Sequence, residues 1–266
     1  MKFSQHAAIH PGATIEDEVV IGDFVVIQDD VKIGRGTVIH PHAVIMKGTR
    51  VGANVQIYPG AILGSDPQDL KYEGEETYLF VGSGTIIREF CTINRGTKAA
   101  GKTQIDDHCL IMAYTHVAHD CHIEHHAVVS NSVNLAGHVK IGSHAIIGGM
   151  SAVQQFVTIG RNSFIGGASL VRKDVPPYIK VAREPLAYAG VNIIGLKRNH
   201  FTQDIIDRIA EIYRLLFVQN KNVSRAIEII SEEVADSPEK EEILNFVKNS
   251  ENGIIKGYNH SVGDGS

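Results

Sequence analysis

Fourteen histidines occur in this chain, and they crowd into residues 108–144, most densely in THVAHDCHIEHH between Thr115 and His126. Within that stretch His119 is followed at once by Asp120. Histidine is the commonest general base near neutral pH, and an adjacent carboxylate can fix its tautomer and stabilise the imidazolium. Eighteen residues further on stand Gly137 and His138. A glycine N–H, unshielded by a side chain, can approach a developing oxyanion. Base, carboxylate and bare amide would suit a proton abstraction coupled to oxyanion formation, provided that the fold stacks residues 18 apart. His108, His126 and His144 also recur at that interval and are read as decoration of an outer face.

The element that could stack them is a repeat. Every sixth residue from Ile9 to Leu63 is Ile, Val or Leu; the series resumes at Val81, Ile87 and Ile93, and again from Ile105 to Val171. Four residues after each aliphatic stands a small or β-branched residue, such as Ala13, Val25, Ala43 or Ser163, and glycine often follows the aliphatic directly. Neither a helix of period 3.6 nor a flat strand of period 2 explains a strict six. A short strand plus a turn does, with the aliphatic and the small residue facing a narrow interior that neighbouring coils bury together. In this frame His119 lies two places after Val117 and is expected to point outward. Two segments leave the repeat, 65–80 and 96–104, and both preserve its register, so they read as loops bulging from a regular prism. Cys91, Cys109 and Cys121 fall in the inward small-residue slot and read as structural thiols.

Pro176-Pro177 is expected to end the last coil, placing the β-helical part at 1–176. Helical spacing follows: Ile205, Ile209, Ile212 and Leu216 after Thr202 as N-cap, then Val223 to Ile230, then Ser237-Pro238 as a helix start. Residues 177–250 are therefore an α-helical C-terminal part that caps the prism, and 251–266 a flexible tail. A composition of 43% hydrophobic and 21% charged residues is that of an ordinary globular protein, and a net charge of −5 argues against a general nucleic-acid binder. No apolar run is long enough for a transmembrane segment, the N-terminus lacks a signal-peptide pattern, and three cysteines without a CxxC suit a reduced cytoplasm.

The repeat resembles that of the hexapeptide-repeat acyltransferases, whose fold is a left-handed parallel β-helix; the handedness is taken from that resemblance. Further segments resemble the UDP-N-acetylglucosamine O-acyltransferase family: QDLKYEG at 68–74, then IREFCTINRGT, HVAHDC, LAGH, IIGGMSAVQQF, DVPPY and GVNIIGLKR. They run in order along almost the whole chain. The resemblance implies transfer of a 3-hydroxyacyl group from the phosphopantetheine of acyl carrier protein to the 3-position of UDP-N-acetylglucosamine, the first step of lipid A biosynthesis. It implies a homotrimer with sites in clefts between neighbouring prisms, and no metal or other cofactor. His119 matches the family's general base, Asp120 its orienting partner and Gly137 its oxyanion donor. Gln68, Asp69, Lys71, His116, His138 and Gln155 match positions that contact sugar and phosphate, and Asn192 and Arg198 match positions near the uridine and diphosphate. Gly167, two coils beyond the oxyanion glycine, matches the position that gates acyl length. Lacking a side chain, it leaves room for a donor of about fourteen carbons, at about 0.8 kcal/mol per buried methylene. The chain departs from the family where Gln154 replaces a histidine of an HQF motif, and where Ile194 and Asn199 replace polar or basic residues.

Other readings are the same transfer to a 3-amino sugar, a zinc carbonic anhydrase of similar fold, and a β-helical scaffold without activity. The zinc enzyme requires three histidines converging between subunits and leaves QDLKYEG and GLKR unexplained. A related N-acyltransferase carries a uridine-binding domain before its β-helix, whereas here the repeat begins at residue 3. Steering an acidic carrier to this chain would need a local basic patch, with Arg161, Arg172, Lys173, Lys180 and Arg183 as candidates.

Overall fold

The structure is a computed structural model and describes residues 2–220 and 222–257. From Lys2 to Ala182 the chain winds into a three-sided prism, with one short strand, usually of two residues, for each hexapeptide. The strands form three parallel sheets. The first runs from Lys2–Phe3 to Ile179–Ala182, the second from Ala8–Ile9 to Leu170–Val171, and the third from Thr14–Ile15 to Thr158–Ile159. Aliphatic residues stack on their own kind in the next coil, Ile39 on Ile57, Ile45 on Leu63 and Ile33 on Val51. These columns fill the interior, and each fully buried Ile, Val or Leu contributes about 1.5–3 kcal/mol before entropy is counted. This is the parallel β-helix expected from the repeat, left-handed as the resemblance implies. The three cysteines are buried free thiols in its wall, and burial raises Cys91 to about 11 and Cys109 and Cys121 to about 12.

Two features of the corners decide where side chains go. At most corners the third residue after the aliphatic adopts left-handed backbone, with φ of 60° at Asp120, 61° at His138 and 67° at Phe156. The second residue contributes no amide to the ladder, so proline is accepted there: Pro11, Pro41, Pro59 and Pro177 all occupy it. Pro176-Pro177 therefore does not end the prism, contrary to the expectation. Pro177 turns one more corner, and Ile179–Ala182 then joins the first sheet, Lys180 on Phe164 and Val181 on Ile165.

Both excursions are shorter than expected, 66–77 and 95–101. Tyr78–Val81 and Lys102–Ile105 are longer strands that pair with one another, Tyr78 on Lys102 and Val81 on Ile105. The excursions are bound to each other outside the prism. Arg95 donates to the Tyr72 hydroxyl and pairs with Asp66 at 2.6 Å, and the Lys98 amide donates to Glu75.

Ala187–Val191 then pairs antiparallel with Ile179–Ala182, which places the first helix later than expected. Among the described residues four helices follow: α1 (Ile193–Arg198), α2 (Gln203–Tyr213) with a π-helical extension to Gln219, α3 (Val223–Glu233) and α4 (Pro238–Asn249). Ser237 caps α4 by accepting from the Lys240 amide, and Asn222 caps α3. Tyr213, fully buried, donates to the Pro177 carbonyl at 2.6 Å and so seats the helices on the last coil. Of the predicted flexible tail, residues 251–257 instead lie along the prism, bridging Asp174 with Ile254 and Ala187 with Lys256; residues 258–266 lie outside the described residues. No helix is long and apolar enough to cross a membrane among the described residues.

Candidate active site

The repeat brings His119, Asp120, Gly137 and His138 to one corner, between the second and third sheets. His119 follows the strand His116–Val117, and Gly137 follows Asn134–Leu135 one coil above it, in register. The His119 Nδ1 lies 2.8 Å from Asp120 Oδ2. That carboxylate is fixed from the other side, where Thr97 donates its amide to Oδ1 at 2.9 Å and its hydroxyl to Oδ2 at 2.7 Å. The Asp120 amide in turn donates to the Thr103 hydroxyl. With Nδ1 committed to a carboxylate, the imidazole keeps Nε2 as its acceptor.

His119 lies outside the apolar core, as the period requires, yet it is only 6% exposed and Asp120 only 8%. The period gives direction but not cover: the second excursion, through Thr97, is anchored on Asp120. Gly137 leaves room for the His119 ring, since a Cβ there would lie 2.5 Å from His119 Cε1 and 2.7 Å from Nε2 and would force the imidazole to shift. Among the described residues nothing accepts from the Gly137 amide. His138 stands above Asp120, its Nε2 3.5 Å from Asp120 Oδ2 and its ring stacked on Phe156 at 4.6 Å. Burial lowers the His138 pKa, and the negative charges of Asp120 and Asp69 oppose that shift. Asp69 thus links the first excursion to this corner. The donor atoms of His119, Asp120 and His138 all lie within 4.8 Å of one another, close enough to share a metal ion.

The other expected residues are dispersed. His116 is half-buried on the strand entering the corner, its Nδ1 2.8 Å from the Thr92 hydroxyl, and burial lowers its pKa. Gln155 is exposed one coil above Gly137, beside Gln154, and Gln68 and Lys71 are exposed on the first excursion. Asn192 is buried and fully engaged, donating to the Asn162 carbonyl and capping α1 at Gly195, while Arg198 is exposed at the end of that helix. Asn162 belongs to the corner between the third and first sheets, so in one chain these two are remote from His119.

Gly167 also differs from the expectation. Two coils above Gly137 on the same corner stands Lys173; Gly167 instead occupies the corner between the first and second sheets, above Gly149. The histidines divide in the same way. His108, His126 and His144 stack on the corner shared with Asn162, with ring centroids 5.2 and 4.8 Å apart, and take no part in the His119 cluster. Of the basic candidates, Arg161 is tied to Glu242 and Tyr178, Arg172 to Glu184 and Lys173 to the Asn252 carbonyl. Sequence reasoning missed Thr97, Thr103 and Phe156. Thr97 lies within the INRGT segment, but only the folded excursion shows its hydroxyl on Asp120.

Two family descriptions match: the second domain of UDP-N-acetylglucosamine O-acyltransferase over residues 174–255, and the bacterial transferase hexapeptide over residues 12–47. The chain is 54% identical to the acyl-(acyl-carrier-protein)–UDP-N-acetylglucosamine O-acyltransferase of Chlorobaculum parvum over 95% of its length and 97% of that protein's. It is 58% identical to the enzyme of the same name from Chlorobium phaeobacteroides, over 93% and 94%. The crystal structure of the UDP-N-acetylglucosamine acyltransferase of Bacteroides fragilis superposes with a TM-score of 0.94 at 43% identity, covering 95% of this chain and 99% of that one. Identity of 54–58% over nearly the full length of both chains, the shared coil architecture and a matching C-terminal part lead to one assignment: this chain belongs to the UDP-N-acetylglucosamine O-acyltransferase family.

Proposed function

We propose that this chain transfers a 3-hydroxyacyl group from acyl carrier protein to the 3-hydroxyl of UDP-N-acetylglucosamine, the first step of lipid A biosynthesis, with His119 as general base. The observation that carries the reading is the arrangement of His119, locked through Nδ1 to a buried, doubly anchored Asp120, beneath a Gly137 amide that has no acceptor among the described residues. His119 Nε2 takes the proton of the sugar hydroxyl as its oxygen attacks the thioester carbonyl. Asp120 holds the tautomer and offsets the imidazolium charge. The Gly137 N–H donates to the tetrahedral oxyanion, and the imidazolium returns its proton to the departing pantetheine sulfur. A positioned general base contributes about 10²- to 10⁴-fold, and one oxyanion donor about 10²- to 10³-fold. His138, Asp69, Gln68, Lys71, His116 and Gln155 hold the sugar and its phosphates around this corner. The thioester is already activated, so the chemistry calls for neither metal nor other cofactor.

The remaining expected residues fit a site shared between copies. Gly167 stands on a second corner of the same prism, and Asn192 caps the helix that ends at Arg198 while holding the Asn162 carbonyl of the third corner. They can meet a substrate at His119 only if a second copy presents its corner there, which supports a homotrimer with three clefts. The corner that carries Gly167 also carries exposed apolar side chains, Phe24, Phe90, Tyr114 and Met150, a surface suited to burial against another copy.

The test is product analysis by mass spectrometry. UDP-N-acetylglucosamine and its 3-amino analogue are offered with acyl carrier thioesters to the native protein and to His119→Ala. An ester on the natural sugar, reduced about 10²-fold or more by the substitution, is expected. Exclusive acylation of the amino analogue would replace the acceptor. Near-normal turnover by a folded His119→Ala would remove His119 from its role.

A further inference from the structure

We propose that His119, Asp120 and His138 form a reversible transition-metal site, of zinc type, that competes with the catalytic use of His119. Two imidazoles and a carboxylate are a common zinc donor set that leaves a position open for an exogenous ligand. The donors converge here from two stacked coils: His119 Nδ1 is 2.8 Å and His138 Nε2 3.5 Å from Asp120 Oδ2, and one donor atom of each of the three residues lies within 4.8 Å of the other two. Tetrahedral zinc with bonds of about 2.0–2.2 Å separates its donors by roughly 3.3–3.5 Å. The His138 contact already has that span, and the His119 contact must open by about half an ångström.

The surroundings are preorganised. Asp120 is held by the Thr97 amide and hydroxyl, the kind of outer partner that orients a ligating carboxylate. His138 is steadied by its stack on Phe156, whose carbonyl accepts from Asn252 at 2.7 Å. Among the described residues no other trio of such donors converges this closely. The stacked column of His108, His126 and His144 is richer in imidazole, but its rings lie nearly parallel, so the donors do not point at one another.

Occupancy has a defined chemical consequence. Coordination through Nδ1 moves the single imidazole proton of His119 to Nε2. That atom is then a donor and can no longer accept the proton of a hydroxyl. The metal therefore removes the base, and it also occupies His138, which the reading above places at the sugar. This inhibition rests on the general-base reading above, whereas the binding does not.

The experiment titrates chelator-stripped, full-length protein with Co²⁺ alone, read by the visible absorption of four-coordinate cobalt, then with Zn²⁺ to displace it. One equivalent per chain is expected. Affinity should fall at least about tenfold in His138→Gln, fall about 10- to 100-fold in Thr97→Val, and be unchanged in His126→Gln. Zn²⁺ should abolish turnover, and chelator should restore it. Absence of the four-coordinate spectrum overturns the site, as does a signal that survives both His138→Gln and Thr97→Val or disappears in His126→Gln. If His138→Gln fails to fold, Thr97→Val carries the test. Stoichiometric binding without inhibition upholds the site, and it is then the general-base role of His119 that fails.

Discussion

Gly137→Ala is the most incisive perturbation of the proposed mechanism, because it keeps the backbone amide and changes only the space beside His119. The added Cβ would lie 2.5 Å from Cε1, 2.7 Å from Nε2 and 3.1 Å from Nδ1 of that ring. Carbon contacts are comfortable at about 3.5–4.0 Å, so the imidazole must retreat by about 1 Å. Its bond to Asp120 Oδ2 is 2.8 Å long. A retreat of that size stretches the bond beyond about 3.5 Å, where it no longer fixes the tautomer. Misplacing a reacting group by about 1 Å can cost 10²-fold, and complete loss of a general base up to about 10⁴-fold. The expected fall in kcat/KM is therefore about 10²- to 10⁴-fold, or roughly 2.7–5.4 kcal/mol at 1.36 kcal/mol per decade. Gly137 does not use left-handed backbone, so alanine adds no conformational strain there, and the thermal midpoint should move little. The assay is single-turnover acyl transfer beside a melting curve. Turnover within about twofold of native, in a protein that melts normally, would refute the reasoning, since a ring that tolerates such displacement is not acting as a positioned base.

The remaining predictions address register, acyl length and the buried thiols. Ile141→Asp puts a charge into a side chain site that is 1% exposed, with no partner, and should cost several kcal/mol and most of the soluble yield, whereas Asp at exposed Lys140 should be tolerated. Equal yields and equal urea midpoints for the two would overturn the inward assignment. Gly167→Met should shift kcat/KM towards shorter acyl thioesters while leaving the His119 site intact, since a Cβ there meets only the Gly149 backbone, its carbonyl at 3.3 Å and its nitrogen at 3.9 Å, and the longer side chain must extend outward. An unchanged ranking of donors would mean that the acyl chain follows another path. Burial holds the Cys91 thiol at about 11 and the other two at about 12, so almost no thiolate exists at neutral pH. Native protein should resist iodoacetamide until it unfolds, and rapid labelling of any of the three would place that cysteine outside the wall.

A six-residue period carries its own register, so the sequence by itself determined the prism, its inward columns, the slots of the three cysteines and the stacking of Gly137 above His119. The same arithmetic placed His119 outside the core, because each hexapeptide dictates direction by local backbone geometry. The period is silent on what lies over that surface. The burial of His119 and Asp120 depends on the 95–101 excursion, whose Thr97 is not part of the repeat and acquires its role only when the loop folds back onto the corner. The extra coil beyond Pro177 was hidden for a related reason. Proline is read as a ladder breaker, and only the corner geometry reveals a position whose amide has no ladder partner. Density of histidines along the chain was likewise a poor guide to proximity. Residues six apart turn to different corners while residues eighteen apart share one, so His126 is separated from His119 although it lies only seven positions further along the chain. The dispersal of Gly167 and Asn192 over two further corners is a property of the closed triangular coil. A linear motif cannot express it, because the distance between corners is set by the width of the core, not by the spacing along the chain.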